Sequence, residues 1–163
     1  ISALYTSGPD NPPVRADYAP MKIITDSKYT KLSDEERKQN YLVIGIKNKK
    51  FFSFGDFKNV HHHGITTIVV GRKLNIVLNK YLSVFPFPPQ YLLYTQTGSA
   101  MDSAGLSAIV PKVFEATGKH IGINQLRHIF ISENIEGDYI STKQPIADKM
   151  MHNISMQDNY RMK

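Results

Sequence analysis

The sequence predicts an α+β domain, mostly helical, with a small three-stranded antiparallel sheet near the N-terminal third. Three observations carry this. Runs rich in branched and aromatic residues fall at 41–46, 51–54 and 65–70, joined by links too short to hold a crossover helix. Beyond residue 71 the apolar residues recur at three- and four-residue steps, the helical period. With 163 residues, 41% hydrophobic and 21% charged, one domain can bury roughly 70% of its unfolded surface.

The elements follow in order. Gly8-Pro9-Asp10-Asn11-Pro12-Pro13 is dense in turn formers and excludes helix or inner strand. Residues 17–24 are expected to form a short helix, opened or broken by Pro20. The polar stretch 31–40 reads as a solvated loop with no chemistry of its own. The first strand runs into a polar turn at 47–50, the second into Gly55-Asp56, and Gly71 stops the third. Leu74, Val77, Leu78, Tyr81 and Leu82 mark one face of a helix that the proline cluster at 86–89 ends. Tyr91-Leu92-Leu93-Tyr94 reads as a short buried run. Ser103 is expected to cap a helix through Thr117, with Gly118 as its stop. Asn124 is expected to cap residues 125–134. Thr142 with Pro145 opens a helix through Met151, and Ser155 caps a last short one.

Composition narrows the function. Twenty Lys+Arg against fourteen Asp+Glu give a net charge of +6, which suits a polyanion without requiring one. The absence of Cys excludes a disulfide scaffold, a thiolate metal site and a Cys nucleophile. No apolar run approaches the roughly 18 residues of a membrane span, so no membrane partner is expected. The first residues lack the basic start and apolar core of a signal peptide, and the missing initiator Met points to a piece of a longer protein. His61-His62-His63 could tempt a metal reading. Adjacent His cannot all face one way on a strand, and no carboxylate pair completes a site, so no metal is expected. A solvated loop suits them better.

Two C-terminal segments carry the chemistry. Gly122-Ile123-Asn124-Gln125-Leu126-Arg127-His128-Ile129-Phe130 sets Asn124, Arg127 and His128 near a helix start, where orphan N–H groups favour an anion. Met151-His152-Asn153 then precedes Tyr160 across a turn. Arg and His around one phosphate with a Tyr nucleophile could perform phosphoryl transfer.

These residues resemble the C-terminal signature of the tyrosine recombinases, usually His-x-Leu-Arg-His, then Leu-Gly-His-Ser, then a Tyr. Pro12-Pro13-Val14-Arg15 is similar to the segment holding that family's first catalytic Arg. Residues 40–43 and 52–58 resemble its β-hairpin, whose catalytic Lys follows the second strand. The order of motifs looks most like the integrases of large DNA viruses, their satellite viruses (virophages) and related mobile elements. The resemblance covers residues 1–163 as a single catalytic domain, with an N-terminal DNA-binding domain expected elsewhere.

The resemblance implies a site. Tyr160 would be the nucleophile, giving a 3′-phosphotyrosyl link. Arg15, Arg127 and His152 would hold the non-bridging oxygens and Lys58 would protonate the leaving 5′ oxygen. Asn124 stands where the family most often has His and would be a phosphate contact or helix cap. Tyr18 stands where an acidic residue is usual, with Asp17 beside it to orient Arg15. The implied partners are double-stranded DNA and a tetramer of the full-length protein. No cofactor is implied, and the expected location is intracellular, in a host nucleus or cytoplasm if viral. A type IB topoisomerase, or a non-catalytic DNA-binding relic, are the alternative readings.

Overall fold

The computed structural model describes residues 1–134 and 140–155. Its centre is a sheet in the order β1-β2-β3-β4, formed by β1 (Lys22–Thr25), β2 (Tyr41–Ile44), β3 (Lys50–Phe54) and β4 (Thr66–Val69). The last three are antiparallel neighbours, but β1 runs parallel to β2, with Lys22 beside Tyr41 and Thr25 beside Ile44. The expected sheet of three antiparallel strands is thus corrected to four strands of mixed direction.

The fourth strand, β1, lies where the sequence predicts the end of a short helix. Ala16–Tyr18 makes only one 3-10 turn, and Pro20 has no N–H to extend it. Lys22-Ile23-Ile24-Thr25 then pairs as its branched residues favour. A parallel partner needs a crossover. Residues 26–40 supply it through α2 (Asp26–Tyr29) and a 3-10 turn at Glu36–Lys38. The run 91–94 closes the other edge of β1: Ile23 N–H donates to the Gln90 carbonyl at 2.9 Å and Leu92 N–H to the Met21 carbonyl at 2.8 Å.

The sheet is covered on both faces over β2 and β3, while Thr67 and Val69 of β4 stay exposed on the face away from the main core. Leu42, Phe52 and Ile68 stand in register and enter the main core with Leu4, Tyr18, Leu74, Leu78 and Leu106. On the opposite face the Tyr29 ring packs edge-on to Tyr41 and Phe51, and its hydroxyl meets Ser53 Oγ at 2.8 Å. That cover explains why β2 is apolar throughout instead of alternating.

The helices include α1 (Ser2–Thr6), α3 (Val60–His63) and α4 (Arg72–Leu82). Leu74 and Leu78 of α4 face inward, whereas Val77 is 46% exposed. Asp102, not Ser103, caps α5 (Ser103–Val113), accepting from Gly105 N–H at 2.7 Å. Pro111 denies the helix an N–H, and Phe114 N–H closes onto the Pro111 carbonyl. The chain then tightens into a 3-10 turn at Glu115–Thr117 and ends in left-handed Gly118, φ 70°. α6 (Ile123–Asn134) and α7 (Ile140–Lys149) complete the described elements.

Candidate active site

The end of α7 sets the direction of one imidazole. Met151 N–H donates to the Asp148 carbonyl and His152 N–H to the Ala147 carbonyl, both at 3.1 Å. Met151 itself is left-handed, φ 54°. This paired-bond helix stop usually has Gly at the left-handed position. Here a Met side chain, 1% exposed, is locked into the main core instead. His152 is the next residue, so the cap fixes where its ring begins.

α6 supplies the arginine. Gly122 opens the helix, its carbonyl accepting from Leu126 N–H and its N–H donating to Gln125 Oε1, both at 3.1 Å. Gln125 reaching back in this way is half of a capping box. Asn124 therefore lies inside the first turn, exposed, and is not the cap. Phe130 and Ile131 of α6 pack against Met150, which binds the two helix ends together.

Arg127 and His152 meet as a result, both fully buried. Arg127 Nη2 lies 2.7 Å from His152 Nδ1, and Nη1 donates to the Pro13 carbonyl at 2.9 Å. A guanidinium has no acceptor, so Nδ1 accepts and the neutral ring carries its proton on Nε2. Burial, then the charges of Arg127 and Arg15 and finally His63, pushes His152 down to about 3. At neutral pH it is a fixed neutral donor.

Arg15 sits two residues beyond the Pro13 carbonyl that Arg127 grips. Its N–H donates to Asp17 Oδ2 and its carbonyl accepts from Tyr5 Oη, both at 3.1 Å. Its half-buried guanidinium makes no hydrogen bond or ion pair among the described residues, yet acts electrostatically on both His152 and Asp17. Asp17 thus orients the Arg15 backbone. Burial pushes its carboxyl upward, against the pull of Arg15 and Arg127. Tyr18 is a core residue, packed edge-on to Tyr5 and Phe52.

Lys58 is exposed on the link between β3 and β4. Its neighbours tie that link to the site: Phe57 is buried, and Asn59 Nδ2 donates to the Met151 carbonyl at 3.4 Å. The three-His run is the helical turn α3 and not a loop. His61 and His62 are exposed, while His63 is half-buried against the Phe57 ring. Among the described residues no group of three or more His, Asp or Glu could hold a metal ion.

The structure therefore brings Arg15, Arg127 and His152 together and lays the Lys58 link beside them. It leaves Asn124 exposed, one helical turn before Arg127. Tyr160 lies outside the described residues, as does most of the segment expected to follow Ser155. Sequence reasoning missed the Pro13 carbonyl, His63 and Asn40. Asn40 is buried and makes four hydrogen bonds where a solvated loop was expected. No local signal marks it, because its partners come from distant segments. The arrangement concentrates cationic and neutral N–H donors around one point, which suits a tetrahedral anion.

Comparison with known proteins finds the same fold in solved structures. The chain superposes on a crystal structure of XerA recombinase with a TM-score of 0.60 at 14% identity, covering 99% of this chain and 50% of that one. It superposes on the Tn1549 transposon integrase in complex with circular intermediate DNA with a TM-score of 0.57 at 15% identity, covering 99% and 54%. A second structure of that integrase, bound to transposon right end DNA, gives 0.53 at 15%, covering 91% and 50%. The chain thus spans about half the length of these structures. No protein-family model and no curated protein matches the sequence.

Proposed function

We propose that this chain is the catalytic domain of a tyrosine recombinase or integrase acting on double-stranded DNA. The observation that supports this best is the buried Arg127–His152 pair at 2.7 Å, set against the Arg15 segment. It sits in a fold shared with a recombinase and a DNA-bound integrase.

In this reading the Tyr160 hydroxyl attacks the scissile phosphorus. The Tyr160 Oη–P bond forms, its proton passing to solvent, as the P–O5′ bond breaks. Lys58 gives a proton to the departing 5′ oxygen. Arg15, Arg127 and the Nε2–H of His152 meet the charge that builds on the non-bridging oxygens. Asn124, exposed near the start of α6, adds an amide donor. Rejoining reverses the step with another strand's 5′ hydroxyl. The covalent link conserves bond energy, so the chemistry calls for neither nucleotide cofactor nor metal.

The order Pro12-Pro13-Val14-Arg15, Phe57-Lys58-Asn59, Leu126-Arg127-His128 supports a finer placement among integrases of large DNA viruses, virophages and related mobile elements. The full-length protein would act inside a cell, as a tetramer on two duplexes. Strand joining tests the function. Full-length protein given two duplexes with a shared, selected site is expected to exchange strands, and Arg127→Ala to abolish exchange. Relaxation of supercoiled plasmid without any joined product would favour a topoisomerase instead.

A further inference from the structure

One buried side chain connects the Arg15 segment to the Lys58 link. Asn40 precedes β2 and is 7% exposed. Its Nδ2 donates to the Asp17 carbonyl at 2.9 Å and to the Asp56 carbonyl at 2.8 Å. Its Oδ1 accepts from Gly55 N–H at 3.0 Å and from Asp56 N–H at 2.9 Å. Two donors and two lone pairs are all that an amide has, and all are used. Its backbone carbonyl also accepts from Lys22 N–H at 2.9 Å, which fixes Asn40 itself to the start of β1.

The bridge ends close to the reacting groups. Asp17 is two residues past Arg15, and its carboxylate closes back onto the Arg15 N–H. Asp56 is two residues before Lys58. Neither the Arg15 nor the Lys58 side chain has a hydrogen-bond partner among the described residues, so the backbone beneath each sets its reach. Gly55 confines that backbone further, because a Cβ there would stand 2.1 Å from the Arg37 carbonyl oxygen.

We infer that Asn40 is a positioning residue that holds the Lys58 link at a set distance from Arg15, so that Lys58 reaches the leaving oxygen of the phosphate that Arg15 grips. The inference rests on the recombinase reading. Asp in its place keeps the shape but loses both donors and turns a carboxylate toward two carbonyls. Ala leaves four polar groups unpaired.

The test separates proton delivery from folding. Nicked duplexes selected by the wild-type full-length protein from a random pool are made with oxygen or with sulfur at the bridging 5′ position. A thiolate leaves without the proton that an alkoxide needs, so sulfur removes the need for Lys58. With oxygen, Asn40→Ala and Asn40→Asp are expected to slow covalent cleavage about ten- to a hundredfold, the scale of a displaced catalytic group. With sulfur they are expected to approach the wild-type rate, as is Lys58→Ala, and DNA affinity and melting behaviour locate any loss of fold. If Asn40→Ala does not fold, the near-isosteric Asp variant carries the comparison. An equal loss with oxygen and sulfur overturns the inference and leaves Asn40 a folding residue. Failure of sulfur to rescue Lys58→Ala overturns it too. Absence of any wild-type adduct overturns the recombinase reading, and this inference with it.

Discussion

Met151 and His152 set two effects against each other. A left-handed non-glycine residue costs about 1–3 kcal/mol, yet removing a buried Met side chain costs about 2–5 kcal/mol. Packing should win, so Met151→Gly is expected to destabilise the fold by about 1–3 kcal/mol in urea titration. A more stable variant would show that the side chain contributes little. His152 makes a second prediction. Its folded value of about 3 lies below the ordinary 6.5, so between these pH values the unfolded chain binds a proton that the folded one refuses. Its contribution is therefore intact above 6.5 and declines as pH falls toward 3. Asp17, raised by burial, acts oppositely, losing stability as pH rises through its elevated value. The urea midpoint is expected to be lower at pH 5 than at pH 7, and this slope to flatten in His152→Asn. An unchanged slope would mean that His152 does not stay neutral.

At the scale of elements, legibility followed sequence distance. β2, β3 and β4 could be read because their partners are chain neighbours. β1 could not, since its parallel partner lies beyond a crossover and Pro20 suggested a broken helix. The α5 cap lies one residue before the expected Ser103, since Asp102 and Ser103 are both good caps and only the bond from Gly105 N–H decides between them. The 3-10 turn at 36–38 looked merely solvated, yet it presses on Gly55. A Cβ at Gly55 would stand 2.1 Å from the Arg37 carbonyl oxygen and 2.8 Å from two Lys38 backbone atoms. Gly55→Ala is accordingly expected to cost about 3 kcal/mol, near the upper end for overpacking. Thermal unfolding would show it, and a wild-type midpoint would mean that the turn yields freely.

Across the whole molecule, the site is assembled from segments that no local pattern connects. Arg127 reaches back to the Pro13 carbonyl, and Asn59 reaches forward to Met151. The resemblance of short motifs picked out Arg15, Lys58, Arg127 and His152, each unremarkable alone. The fold shows that three of them converge, while Asn40 became visible only once four backbone groups closed around it. In the proposed reading this convergence serves a tyrosine nucleophile. The most direct measurement is covalent trapping on nicked suicide duplexes, with wild-type full-length protein beside Tyr160→Phe. A denaturation-resistant protein–DNA adduct is expected with wild type and none with the variant. An adduct that survives Tyr160→Phe, or salt-sensitive binding to a selected site with no adduct from either protein, would contradict it.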